Sequence, residues 1–195
     1  MPEVRTATTD DLAVVVETAA SSLDGEAMLR WSFGEDRFAE RIRRHFAHYD
    51  GENVRRGWVR LAADGAGIAV WIPPEAREEH EAIPPAPVGG EAEILGGNAE
   101  RHAAFWGWVE GHEPREPLLY LSHIGVMPDR QREGLGSALM RDGLARADRD
   151  GVSSWLETSR AENVAYYERF GFRTAVDENA PDGGPHIWFM RRLPA

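Results

Sequence analysis

The apolar positions of this chain switch between two spacings, and the switches mark out its elements. Leu12, Val15, Val16, Ala19, Ala20 and Leu23 recur at helical intervals behind Thr8, Thr9 and Asp10, residue types that suit a helix N-terminus. Val4-Arg5-Thr6-Ala7 before them reads as a short strand. Asp24-Gly25 ends the first helix, and Met28 to Phe33 reads as a connection carrying two exposed aromatics, Trp31 and Phe33. A second helix has Phe38, Ile42, Phe46 and Tyr49 on one face and Arg41, Arg43 and Arg44 on others. Gly57 to Ala62 and Gly67 to Ile72 are strands, and Asp64-Gly65 between them signals a hairpin. Asn98 opens a third helix, with His102, Phe105, Trp106 and Val109 at helical spacing, so that Trp106 reads as core.

Between hairpin and third helix the pattern lapses. From Glu75 to Glu93 there are six Glu against one Arg, with Pro84, Pro85 and Pro87 inside, which predicts a long, partly irregular surface segment rather than a domain linker. It is either a lid over a substrate or a solvated loop.

The pattern returns in the second half. Leu118 to Val126 is an apolar strand broken at Pro128-Asp129; a helix runs from about Gly134 to Asp150, and Val152 to Thr158 is the next strand. Strand, helix, strand is a crossover, which demands a parallel pair with a ligand crevice at the carboxyl ends of its strands. A short helix over about Glu162 to Phe170 and the strands Gly171 to Val176 and His186 to Arg191 follow. An α/β chain with a mixed sheet is expected, as one domain over residues 1–195.

Composition narrows the chemistry. Hydrophobic content of 42% with 28% charged residues is that of a soluble globular domain. No apolar run approaches the roughly 20 residues that span a bilayer, and the first residues lack the pattern of a signal peptide, so a cytoplasmic location without membrane contact is expected. Without cysteine there are no disulfides, thiolate nucleophiles or Cys-bound zinc. Without lysine, all 22 basic residues are arginine, which excludes Schiff-base chemistry and the lysine of nucleotide-hydrolase phosphate loops. A net charge of −11 argues against a nucleic-acid partner; it favours cationic small molecules or serves only solubility. His45 and His48 have the one-turn spacing of a metal pair, but neither the usual Glu nor a Cys accompanies them, so they read as ordinary helix residues and no metal is expected.

The turn Gln131-Arg132-Glu133-Gly134-Leu135-Gly136 between strand and helix presents unpaired N–H groups at a helix N-terminus, the arrangement that cradles a phosphate. Extended to Leu139, this stretch resembles motif A of the GNAT N-acetyltransferases, Gln/Arg-x-x-Gly-x-Gly/Ala. Asn163-Val164-Ala165-Tyr166-Tyr167-Glu168-Arg169-Phe170-Gly171-Phe172 resembles their motif B. The similarity extends toward the branch that contains puromycin N-acetyltransferase, in Val70-Trp71, His112 to Pro117, Leu156 to Ser159 and Gly184 to Arg192.

The resemblance implies a GNAT fold: a mixed sheet of six to seven strands, helices on both faces, and a splay between strands 4 and 5. It implies acetyl-CoA as co-substrate and direct attack of a small-molecule amine in a ternary complex. The backbone of Gln131, Arg132, Glu133, Gly134, Leu135, Gly136 and Ser137 would hold the pyrophosphate. Arg132 stands where many relatives have Gly; its guanidinium either approaches a phosphate or points to solvent. A backbone N–H within Ile124, Gly125 and Val126 would stabilise the oxyanion, and Asn163 would contact the pantetheine arm or cap its helix. Tyr167 would protonate the departing thiolate, with Tyr166 the rival if the register slips by one.

Acetyl transfer also needs the amine to lose a proton, and the candidates are His123, Glu157, or no base if the amine is neutral. Trp31 and Phe33 are the aromatic candidates for the acceptor site. A homodimer is left open, as are two other readings: acetylation of a protein lysine or N-terminus, and acyl-CoA sensing without turnover.

Overall fold

A computed structural model describes residues 2–195. The chain forms, in order, β1 (Val4–Thr6), α1 (Leu12–Ser22), α2 (Ala27–Phe33), α3 (Phe38–Arg55), β2 (Val59–Ala62), β3 (Gly67–Ile72), α4 (Arg77–Glu81), α5 (Glu91–Ile94) and α6 (Ala99–Glu110). Then come β4 (Leu118–Val126), α7 (Leu135–Asp150), β5 (Ser153–Thr158), α8 (Ala161–Glu168), β6 (Arg173–Asn179) and β7 (His186–Arg192). The seven strands make one sheet in the order β1-β2-β3-β4-β5-β7-β6, antiparallel throughout except for the parallel pair β4 and β5 that the crossover required. Among the described residues no helix is long and apolar enough to cross a membrane.

Alternation along β3 divides the core in two. Ile68, Val70 and Ile72 join α1, α2, α3 and α6 on one face, whereas Ala69 and Trp71 join α7 and Tyr167 of α8 on the other. On that second face a β-carbon added at Gly143 of α7 would lie 2.1 Å from Trp71 Cε2, so the helix seats on the indole only because nothing is there. Gly143→Ala is expected to destabilise the protein by about 1–3 kcal/mol through overpacking, read as a fall of several degrees in Tm.

Two irregularities in β4 shape everything that follows. Against β3, Val70 pairs with His123 but Trp71 pairs with Leu121, so Ser122 is an extra residue in a β-bulge. Against β5, pairing covers only Leu118 to Tyr120 and Ser153 to Trp155; beyond these residues the parallel strands part, which is the expected splay.

Two expectations change, at α2 and at Asn98. Residues 27–33 form helix α2 rather than a connection; seven residues are too few for a helical period to declare itself against the flanking turns. The segment after β3 keeps its partly irregular course, with the short helices α4 and α5 inside it. Asn98 does precede α6, but its side chain donates to Phe33 O (2.8 Å) and Leu95 O (3.0 Å) instead of capping the helix.

Candidate active site

The turn into α7 is built from backbone that most side chains resist. Gly134, the residue before α7, has φ +85°, and Arg132 holds φ +68°, a left-handed conformation that costs a residue with a β-carbon about 1 kcal/mol. Glycine at this place in relatives would carry no such strain. Gln131 Nε2 donates to Val126 O (3.4 Å), tying the turn to the end of β4, and Arg130 pairs with Glu133 at 2.8 Å. The first intrahelical bond runs from Ala138 N–H to Gly134 O, which leaves the N–H groups of the opening turn without helical acceptors, and Gly134 at the cap position has no side chain to satisfy them. The space a side chain at Gly134 would enter is empty to 4 Å. This geometry fits a pyrophosphate. A β-carbon at Gly136 would lie 2.9 Å from the Tyr166 hydroxyl, so Tyr166 packs on this turn.

Below the turn the splay opens into a cavity of about 510 Å³. Ser122, His123 and Ile124 line it from β4, Glu157 and Thr158 from β5, and Asn163 and Tyr167 from α8. The bulge decides this. In an unbroken strand His123 would share a face with Leu119 and Leu121, against α7; the extra residue turns it to the opposite face. Gly125 faces the same way and lies so close to α1 that a β-carbon there would be 1.9 Å from Ser22 Oγ.

The titratable lining is unbalanced. Glu26, Glu81, Glu110, Glu113 and Glu157 face a single arginine, Arg77. Burial raises Glu26 and Glu110 above the usual carboxylate range and carries Glu113 and Glu157 up to about 7. Burial also lowers the histidines, His45 to about 4 and His80 and His102 to about 3, so these three are neutral near pH 7. Glu157 Oε1 accepts a hydrogen bond from the Tyr120 hydroxyl at 2.7 Å, while its Oε2 is buried without a partner. The Arg77 guanidinium sits 4.6 Å above the Tyr120 ring and pairs with Glu113. Tyr167 is buried, and burial raises its phenol, which therefore keeps its proton.

The segment after β3 roofs the cavity and is fastened to α3. His45 Nδ1 meets Pro85 O at 2.8 Å, His48 Nε2 meets Pro84 O at 3.2 Å, and the Tyr49 hydroxyl meets His80 Nε2 at 2.6 Å. The two histidines with metal spacing thus hold carbonyls. His45 is buried rather than on the helix surface, and among the described residues no group of three or more His, Asp or Glu is placed for a metal.

Several other candidates sit differently from expectation. Neither Trp31 nor Phe33 lines the cavity: Phe33 is 0% exposed, wedged edge-on against His45 and His102, and Trp31 is half-buried beneath the Arg101 guanidinium. Trp106, read as core, is half-buried: it packs against the core and also lines the cavity. Asn163 lies inside α8, whose cap position is Arg160, and its Nδ2 donates to Thr158 Oγ1 at 3.2 Å. Sequence reasoning missed Tyr120, Arg77, Glu113 and Asp50. Asp50 alone left a signal: it falls four residues after Phe46 and eight after Ile42, on the apolar stripe of α3.

Comparison with known proteins agrees with this geometry. A ribosomal protein bS18-alanine N-acetyltransferase of Escherichia coli is 43% identical over 59 residues, 29% of this chain; that stretch spans only 40% of the relative's length. A structure of histone acetyltransferase HPA2 and related acetyltransferase from Corynebacterium glutamicum superposes with TM-score 0.70 at 23% identity, covering 100% of this chain and 97% of that one. An agmatine N-acetyltransferase superposes with TM-score 0.68 at 14% identity, covering 98% of each chain. At such identities these structures speak for the fold. Residues 27–172, most of the chain, match the acetyltransferase (GNAT) family, and with the bulged β4, the splay and the glycine turn already in place, the chain belongs to that family.

Proposed function

We infer that the protein transfers the acetyl group of acetyl-CoA to the primary amine of a small cationic molecule. The observation that carries this reading is the roofed cavity at the splay, lined by five carboxylates and one arginine. A protein tail would need a long exposed groove, whereas a partly roofed acidic cavity suits a small cation. The resemblance to the puromycin N-acetyltransferase branch supports a small-molecule acceptor. So does the named activity of the agmatine enzyme of like fold.

In this reading the turn from Gln131 to Ser137 holds the pyrophosphate, and Asn163 stands along the pantetheine arm. A backbone N–H of Ile124, Gly125 or Val126 stabilises the oxyanion. Glu157 draws the ammonium group to the splay, and His123 takes its proton. The amine nitrogen then bonds to the acetyl carbon, the carbon–sulfur bond breaks, and the Tyr167 hydroxyl delivers a proton to the leaving thiolate and regains one from the nitrogen of the new amide. An amine panel of polyamines, agmatine, puromycin, aminoglycosides and amino-acid derivatives, screened for release of free CoA, tests the reading. No release with any member would overturn it.

The pH dependence follows from Glu157. Its carboxyl, raised to about 7, is ionised above that value and neutral below it, so attraction of the cationic amine is present at alkaline pH and fades as pH falls through 7. The expected kcat/KM profile has an acidic limb near pH 7. Glu157→Gln is expected to abolish that limb's Glu157 component and lower kcat/KM by about 30-fold, the cost of removing one partner of a desolvated charge contact.

A further inference from the structure

Asp50 of α3 is 0% exposed, and the transfer chemistry above makes no use of it. A carboxylate so far from water requires partners. Its Oδ1 accepts a hydrogen bond from Asn53 Nδ2 at 3.1 Å, and Asn53 is itself 0% exposed. Its Oδ2 has no hydrogen-bond partner but lies 3.3 Å from His123 Nε2, which is also buried and unpartnered. The other ring nitrogen, Nδ1, lies 3.4 Å from Ser122 Oγ, and both residues line the cavity. Two orphaned atoms this close are one contact left long, as hydrogen bonds of catalytic groups are before substrate binds.

We propose that Asp50 is a positioning residue for His123, fixing its imidazole with the hydrogen on Nε2 so that Nδ1 offers its lone pair to the amine in the cavity. The proposal deepens the acetyl-transfer reading and rests on it. A carboxylate oxygen only accepts, so the nitrogen facing it carries the hydrogen and the far nitrogen holds the lone pair. The ammonium proton passes to Nδ1 before the nitrogen bonds to the acetyl carbon, and the resulting imidazolium stands against the Asp50 carboxylate. Of its other neighbours, His45 and His80 are kept neutral by burial and Phe46 packs a ring 5.4 Å away, so the counter-charge comes from Asp50. The arrangement has the logic of an Asp–His pair in a hydrolase triad, assembled here from a helix and a bulged strand.

Asp50→Asn tests it in the arrangement that keeps Asn53 Nδ2 donating. Because the partnerless Asn53 Oδ1 accepts instead if that amide turns, Asp50→Leu, which removes the acceptor outright, is measured beside it and should show the same loss of kcat. Asn53 Nδ2 donates, so the amide oxygen stays toward Asn53 and the NH₂ faces His123. Nε2 then accepts, the hydrogen moves to Nδ1, and the lone pair leaves the cavity. The expected result is a fall in kcat of about 100- to 10,000-fold, with the KM for the amine nearly unchanged. The ¹⁵N spectrum of His123, assigned with His123→Gln, should change from the Nε2–H to the Nδ1–H tautomer. In the His123→Gln background, Asp50→Asn should add no further loss, because the two act as a unit.

Wild-type kcat in Asp50→Asn, or an equal loss from it in both backgrounds, overturns the proposal. The wild-type spectrum decides even if the variant does not fold, since an Nδ1–H tautomer there also overturns it. A wild type that turns over no amine overturns the transfer reading instead, and the tautomer still decides whether Asp50 sets the ring.

Discussion

Tyr167→Phe should lower kcat by about 100- to 10,000-fold, the range for loss of a general acid, while acetyl-CoA binds as tightly as before. Tyr167 lines the cavity with Glu157, Thr158 and Asn163, at the splay where the thioester sulfur would lie. Burial raises its phenol, so the hydroxyl keeps its proton across the working pH range and is present as a donor. The leaving thiolate is a weaker base than that phenolate, so the transfer is completed as the nitrogen of the new amide sheds a proton back to the Tyr167 oxygen; without a donor the thiolate returns to the carbonyl. The ring itself packs against Phe172 and Tyr166, and Phe preserves those contacts, so fold and cofactor affinity are spared. Tyr166→Phe is the control. Its hydroxyl lies at Gly136 on the α7 turn and its side chain does not line the cavity, so its loss should leave kcat close to wild type. A Tyr167→Phe enzyme with undiminished turnover would remove the acid from this position.

Gly134→Leu should abolish acetyl-CoA binding in calorimetry, weakening it at least about 100-fold, which corresponds to roughly 2.7 kcal/mol. Two effects separate cleanly here. The left-handed φ of +85° makes any β-carbon costly, by about 1–2 kcal/mol of stability. Nothing lies within 4 Å of that β-carbon, however, so the protein itself has room for the new side chain. In the proposed reading the room it takes is that of the pyrophosphate. Folding is therefore dented while binding is lost, and circular dichroism with a thermal melt distinguishes the two. Wild-type affinity in this variant would contradict the cradle.

The cradle was legible because its information is local: Gln131 to Ser137 and Asn163 to Phe172 are contiguous stretches whose backbone requirements show in their glycines. The acceptor side was not, for reasons that are long-range. His123 faces the cavity only because Ser122 is an extra residue against β3, and strict alternation along β4 would put it on the other face. Phe33 looked exposed beside Trp31, yet it is drawn inside by a seven-residue helix and two histidine rings from α3 and α6. Glu113 and Arg77 are 36 residues apart in sequence, and their pairing exists only once the roof segment has folded over Tyr120. Asp50 shows what a stricter reading recovers: a lone acid on an apolar stripe marks a buried partner elsewhere in the chain.

The ion pairs that bind this fold together, such as Arg60 with Asp142 and Arg192 with Asp148, are all built on guanidinium or imidazole groups, because the chain contains no lysine. A guanidinium keeps its proton at every physiological pH and is no nucleophile toward a thioester. In the proposed reading, the protein binds an activated acetyl group and exposes no ε-amine that the group could capture. Its charge pattern should not age as donor concentration rises, and incubation with acetyl-CoA followed by intact-mass measurement should reveal no lysine-type acetylation.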